Sequence, residues 1–208
     1  MWEEHETYWL SKIPQGTDDW KNLRKGRLTM SNAYKSRSKY TNKQTLANYI
    51  CNIEQEQFTE EAWSRMNHGT KMEPYVRKWY EKTKGVEVNE YGLAIPKWNV
   101  YLGASVDGVV VENGMENGII EIKCPKKMYK DLIEFGKVSE YHYDQMMGNM
   151  KVLNKEWCDY VVYASEDKKV HIKRIYFNED YWNKMYNDMN FFIDTYIKPL
   201  KYNIVIPS

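Results

Sequence analysis

Ser105-Val106-Asp107-Gly108-Val109-Val110-Val111 and Gly118-Ile119-Ile120-Glu121-Ile122-Lys123 are the stretches that decide the fold, separated by Glu112-Asn113-Gly114-Met115-Glu116-Asn117. Both are rich in β-branched residues and the connection is rich in Gly and Asn, so the pair reads as a β-hairpin. Glu121 and Lys123 are two apart, so their side chains leave one face of the strand, while Ile120 and Ile122 point to the other, into a core. Asp107 lies on the partner strand and can meet Glu121 across the pair. An Asp, a Glu and a Lys gathered amid apolar neighbours are costly unless a cation or a hydrogen-bond network compensates them. Two carboxylates are hard oxygen ligands suited to Mg²⁺. A lysine beside such a metal can orient or help deprotonate an attacking water, or stabilise developing negative charge. Taken alone, Glu-x-Lys is a weak pattern, equally an ordinary ion pair on a half-exposed strand; the SVDGVVV partner strand with its apolar flanks gives it weight.

Upstream of the hairpin the chain reads as helical. Thr17-Asp18-Asp19 opens a helix that carries Trp20 and Leu23 inward and stops at Gly26. Thr29 or Ser31 can cap a second short helix, and Thr41 a third that runs to about Asn52. Thr59-Glu60-Glu61 begins a fourth, and Gly69-Thr70 precedes a longer one with Tyr75, Val76, Trp79 and Tyr80 at helical spacing, ended by Gly85. Val86, Val88, Tyr91 and Leu93 to Ile95 read as short strands. Beyond Pro125 come helices near 128–135 and 139–154, strands at 157–164 and 170–177 around a polar turn at Glu166-Asp167-Lys168, and a closing helix from Asn178 or Asp180 to Lys198-Pro199. Without repeats or a Pro/Gly linker, the 208 residues read as one domain: a helical part at about 17–85, a sheet core at about 86–177 and a terminal helix at about 178–198. The fold class is α/β, a mixed central β-sheet flanked by helices.

Composition narrows the function. An apolar share of 42% and a charged share of 28% describe a folded, soluble chain, with no apolar run approaching the ~20 residues of a membrane span. The acidic, aromatic start MWEEHETYWL lacks the pattern of a secretory signal, so an intracellular, non-secreted protein is expected. Cys51, Cys124 and Cys158 are odd in number and widely spaced, which argues against a disulfide framework and against a zinc or iron–sulfur pattern. The net charge of +1 averages unlike regions: from Lys21 to Ile53 there are eight basic residues and no acidic one. Removing those eight from the 30 leaves 22 basic residues against 29 acidic ones elsewhere. Such a one-sided segment is either a solvated helical surface or a local site for a polyanion.

Asp107…Glu121-Ile122-Lys123 resembles the PD-(D/E)xK nuclease signature, with Val106 where the nominal motif has proline. Further blocks are similar to the lambda-exonuclease/YqaJ branch of viral recombination nucleases. These are Trp20-x-x-x-Arg24-x-Gly26-x-x-Thr29-x-Ser31, Gly69-x-x-x-Glu73, Ala104-Ser105-Val106-Asp107-Gly108, Glu121-Ile122-Lys123-Cys124-Pro125 and Gln145-x-x-x-x-Met150-x-Val152. They run in order from about residue 17 to 165, and ordered blocks are far more specific than any one alone.

The resemblance implies a restriction-endonuclease-like core and assigns roles. Asp107 and Glu121 would be metal ligands, with the Ile122 backbone carbonyl as a third protein oxygen, and Lys123 would act on the nucleophilic water. Glu73 would hold metal-bound water, and Gln145 would sit near the site. Arg24 and Ser31 would form the pocket for a terminal 5′-phosphate, with Arg27 and Lys35 of the same basic segment on the DNA. Arginine forks onto phosphate oxygens, and a serine at a helix start adds donors, so the chemistry of that pair agrees. The enzyme expected is a Mg²⁺-dependent DNA exonuclease, with Mn²⁺ substituting and one or two ions, working from duplex ends 5′ to 3′ to expose single strands for recombination. By resemblance it would form a ring-like homo-oligomeric trimer, work with a single-strand annealing protein, and belong to a bacterial host's cytoplasm or a virus's replication site. A structure-specific or restriction-like endonuclease is the rival enzyme; a non-cleaving DNA-end-binding module is the rival outside enzymes.

Overall fold

The computed structural model describes residues 2–54 and 58–207. The chain opens with two short antiparallel strands, β1 (Trp2–Glu4) and β2 (Tyr8–Ser11), which the sequence reading does not anticipate. Helix α1 (Asp18–Arg24) is capped by Thr17, whose hydroxyl accepts the Trp20 N–H at 3.2 Å; Leu23 is buried and Trp20 half-buried. After β3 (Leu28–Thr29), a 3₁₀ turn over Met30–Asn32 runs into α2 (Ala33–Arg37). Thr29 holds the cap position of that turn, but its hydroxyl faces Arg24 and Ser31 instead of the turn's amides. Helix α3 (Lys43–Ile50) is capped by Asn42, not Thr41, with Asn42 Oδ1 accepting the Thr45 N–H at 3.0 Å, and it ends two residues short of Asn52.

Helix α4 (Glu60–Lys84) is one continuous element, so Gly69-Thr70 does not divide it as the sequence suggests. One glycine within a helix costs only about 1 kcal/mol, which burial of Val76 and Tyr80 readily offsets. Gly85, at φ 67°, ends the helix as expected. Tyr75 and Trp79 share its helical spacing but not its buried face, being 70% and 41% exposed.

The remaining strands are β4 (Glu87–Asn89), β5 (Ala94–Pro96), β6 (Leu102–Gly103), β7 (Gly108–Glu112) and β8 (Met115–Lys123). β5 joins β2 and β1 in a three-stranded sheet, and β6 lies parallel to β3. The β7–β8 hairpin turns more tightly than its Gly/Asn-rich connection suggests. Asn113 and Gly114, at φ 54° and 76°, form a two-residue turn, and the rest of 112–117 extends the strands. Two successive positive φ values match the twist of the flanking strands, and Asn-Gly tolerates them. Asp107 stands just before β7.

Helices α5 (Lys130–Phe135) and α6 (Glu140–Leu153) cross from β8 to β9 (Trp157–Ala164), which runs parallel to β8; β10 (Lys169–Tyr176) is antiparallel to β9. The main sheet has the order β10-β9-β8-β7-β4 and is mixed, as expected. One face packs on α4, where Val76 and Tyr80 meet Val110, Ile120, Ile122 and Val161. On the other face Ile119, Cys158 and Val162 share a core with Met146, Met147 and Met150 of α6 and with α7 (Glu179–Phe192). Burial on both faces explains why the central strands read as apolar runs without strict alternation.

The basic segment does not form one surface. Arg37 donates through Nη1 to both oxygens of fully buried Asp144, at 2.9 and 2.8 Å, and reaches Asp188 at 3.3 Å. Lys43 donates to the carbonyls of Lys35 and Ser38.

Candidate active site

β8 delivers Glu121 and Lys123 to the α6 side of the sheet, while Ile120 and Ile122 pack under α4. Glu121 is 1% exposed, and Lys123 Nζ donates to its Oε1 at 2.6 Å. Asp107 reaches the same strand: its Oδ2 accepts the Ile122 N–H at 2.6 Å, so the two carboxylates flank the Ile122 peptide. From α6, Gln145 Oε1 accepts from Lys123 Nζ at 3.5 Å, and fully buried Asn149 donates to Glu121 Oε2 at 3.4 Å. From α4, Arg77 Nη1 donates to the Asp107 carbonyl at 2.9 Å while Nη2 pairs with Glu90. The structure thus brings Asp107, Glu121, Ile122, Lys123 and Gln145 together. It adds Arg77 and Asn149, for which the sequence offers no signal, since a lone Arg or Asn in a helix is ordinary.

The electrostatics are those of crowded carboxylates. Burial pushes Glu121 up to about 7; Lys123 pulls it down, and Asp107 adds to the rise. Burial raises Asp107 as well. Glu73 is also driven up to about 7, by burial and then by the Asp107 charge, which places it in the same field. Burial works against the Lys123 ammonium, but Glu121 and Asp107 outweigh it and hold its pKa above the ordinary lysine value. Cys124, beside them, is pushed up to about 12 by burial and then by Glu73, so it stays a thiol.

These residues fit a hard divalent cation. One lysine faces buried Glu121 and half-buried Asp107, both of which resist ionisation in its presence, and Asn149 Oδ1 is buried without a partner among the described residues. A cation relieves that excess of negative charge. The donor set of Asp107, Glu121 and the Ile122 carbonyl suits Mg²⁺, which binds through one or two carboxylates and keeps several waters. Among the described residues no three His, Cys, Asp or Glu side chains close into a metal-ligating group.

Arg24 and Ser31 form a second cluster. Arg24 Nη2 lies 3.3 Å from both Thr29 Oγ1 and Ser31 Oγ, which are 3.1 Å apart. The guanidinium stacks on Trp20 at 4.3 Å, and burial lowers its pKa. A cavity of about 240 Å³ opens beside it, lined by Lys21, Arg24, Lys25, Arg27, Thr29 and Asn32 among others. Arg27 borders this cavity but is only 1% exposed, and it donates to the Leu23 and Val205 carbonyls. Lys35 is half-buried on α2. Tyr141 of α6 acts electrostatically on both Arg24 and Lys123.

A mixed five-stranded sheet between helices, carrying an Asp, a Glu and a Lys on one hairpin, is a nuclease fold of the restriction-endonuclease-like type. The chain belongs to the YqaJ-like viral recombinase domain family, whose model matches residues 19–156. It is similar to an alkaline exonuclease from Laribacter hongkongensis (LHK-Exo), with 27% identity and a TM-score of 0.75 over 89% of this chain and 96% of that one. The structure of LHK-Exo in complex with dAMP gives 0.76 over the same shares. A phage related exonuclease from Haemophilus somnus 129PT shares the fold, with a TM-score of 0.63 at 14% identity over 84% of this chain and 95% of that one. No curated protein matches the chain. No helix among the described residues is long and apolar enough to cross a membrane.

Proposed function

We propose that the protein is a Mg²⁺-dependent DNA exonuclease that removes nucleotides from duplex ends in the 5′ to 3′ direction. The observation that carries this reading is the convergence of half-buried Asp107, bonded to the Ile122 N–H, with buried Glu121, whose carboxylate lies 2.6 Å from the Lys123 ammonium. Family membership and the likeness to LHK-Exo support a DNA exonuclease.

A divalent cation held by Asp107, Glu121 and the Ile122 carbonyl would polarise the phosphodiester and lower the pKa of bound water. Lys123, kept in its ammonium form by its acidic neighbours, directs positive charge and a donor toward the oxygen on which negative charge builds. Gln145 limits the swing of that side chain from α6, and Asn149 fixes the far oxygen of Glu121. Arg77 fixes the Asp107 backbone from α4, so both carboxylates are set before substrate arrives. Arg24 and Ser31, with Thr29, offer a guanidinium fork and two hydroxyls suited to a terminal phosphate, which supports 5′ to 3′ polarity. In this reading Lys35 of α2 would meet the DNA backbone, while Arg27, buried, shapes the cavity floor. The exposed single strand would serve recombination in an intracellular setting, with an annealing protein as partner and a ring-like trimer as the assembly; sedimentation reads the stoichiometry.

The decisive assay compares linear duplex with closed circular DNA, in Mg²⁺ and in chelator. Loss of the linear form alone, in Mg²⁺ alone, is the expected result. Cutting of circles would make the enzyme an endonuclease, and binding without cutting would make it an end-binding module.

A further inference from the structure

Beside the carboxylate–lysine cluster lies a cavity of about 360 Å³ that no step above uses. Tyr129, Leu132, Val138, His142 and Tyr160 form its walls, and the exposed Lys130, Asp131, Lys137 and Ser139 its rim. Two relations tie it to the cluster. Tyr160 is the partner of Glu121 in the parallel β8–β9 ladder, so the two side chains leave the same face of the sheet. His142 precedes Gln145 by one turn of α6, and the Lys123 charge acts on both Tyr129 and His142.

His142 is the centre of an aromatic nest, with ring centroids 5.7 Å from Tyr129, 5.6 Å from Tyr160 and 5.5 Å from Tyr141. Its Nδ1 is bonded to the Tyr160 hydroxyl at 2.7 Å, while Nε2 has no partner among the described residues. Burial, helped by Lys123, pushes its pKa down to about 3, so the ring stays neutral. A neutral imidazole with Nδ1 engaged leaves one nitrogen to meet a ligand from a largely aromatic wall. Aromatic walls with few polar groups are the make-up of a small-molecule site, and about 300 Å³ is the lower end of their size. A flat heteroaromatic ring fits such walls, and at the rim Lys130 and Lys137 outnumber Asp131.

We propose that this cavity is a nucleobase site, which receives the base of the nucleotide beside the scissile bond against Tyr129 and His142. This rests on the nuclease reading above and gives it a second recognition element, separate from the Arg24 pocket. The same chemistry serves the end nucleotide of the strand and the free mononucleotide product. Stacking of one base on an aromatic side chain changes affinity roughly 5- to 100-fold.

The test uses linear duplexes whose 5′-phosphorylated terminal nucleotide either carries its base or is abasic. The wild-type protein should cleave the base-bearing end with a kcat/KM at least about fivefold higher. Tyr129→Ala should bring that ratio near one, and Tyr129→Phe should restore it. In parallel, calorimetry on Lys123→Ala protein reads binding of thymidine 5′-monophosphate and of deoxyribose 5-phosphate. End discrimination that depends on Tyr129 assigns the site to the strand. Tyr129-dependent binding of the free nucleotide without end discrimination assigns it to the product and also supports the cavity. Equal cleavage of both ends together with equal binding of both phosphates overturns the proposal, as does a base preference indifferent to Tyr129→Ala and His142→Gln. If wild-type protein cleaves neither end yet binds the nucleotide through Tyr129, the nuclease reading fails and the base site stands.

Discussion

Asp107 Oδ2 accepts the backbone N–H of Ile122 at 2.6 Å, which ties the turn before β7 to the residue that separates Glu121 from Lys123. One bond therefore sets the spacing of the two carboxylates, and it uses only one oxygen of the aspartate.

Asp107→Asn separates that bond from the charge. The amide oxygen still accepts from Ile122, so the melting temperature should stay within a few degrees of wild type. Activity on linear duplex should fall by about 10²-fold or more, as when a group aimed at transition-state charge is lost. Full metal-dependent activity in the purified variant would remove Asp107 from the site.

Glu73→Gln reads the crowding of carboxylates through pH. The folded pKa of Glu73 is pushed up to about 7 from 4.5, so the native state holds that proton more tightly than the unfolded chain. Its contribution to stability is complete below the unfolded value and is lost as pH rises through about 7. In chelator, Glu73→Gln and wild type should differ little at pH 4, and the variant should be more stable at pH 8 by about 1–3 kcal/mol. Denaturant melts at both pH values measure the gap; one that fails to open places Glu73 outside the cluster.

Arg24→Ala should weaken cleavage of 5′-phosphorylated ends about tenfold or more, the size expected for a lost charge-assisted hydrogen bond. Ends bearing a 5′-hydroxyl should be affected far less. Parallel kcat/KM measurements on the two ends decide it, and equal losses would count against a phosphate pocket.

Asp144→Ala leaves Arg37 and the Tyr181 hydroxyl without their shared acceptor in the core between α2, α6 and α7. Removing one partner of a buried pair typically costs about 3 kcal/mol, which a shift in the urea midpoint would report. The ratio of phosphorylated to hydroxyl-end cleavage should not move, because Arg37 serves the fold.

Much of this was legible in the residues. The pleat alone sends Glu121 and Lys123 to one face, and Asn113-Gly114 marks the hairpin, so the strand that carries the candidate site could be read before any packing was known. Gln145 and Glu73 were reached by resemblance; Arg77, Asn149 and Tyr141 were not reached at all. Their roles depend on which side of α4 or α6 meets the sheet, and that is a tertiary property. The basic segment shows the opposite limit: composition joins its eight cations, while the fold turns Arg37 toward Asp144 and Arg27 toward carbonyls. Strands β1 and β2 escaped notice because they are three and four residues long, and β2 takes its second partner from a segment more than 80 residues away.

Gly148 of α6 faces Met30 of the turn that carries Ser31, and a Cβ at this position would collide with the Met30 side chain. The helix that bears Gln145 and Asn149 therefore rests directly against the turn that holds the Arg24 cluster, with no side chain of its own as a spacer. If, as proposed, the strand's terminus sits at Arg24 and the bond to be broken at Lys123, that contact is the fixed bar of a calliper, and the length of each excised piece is its reading.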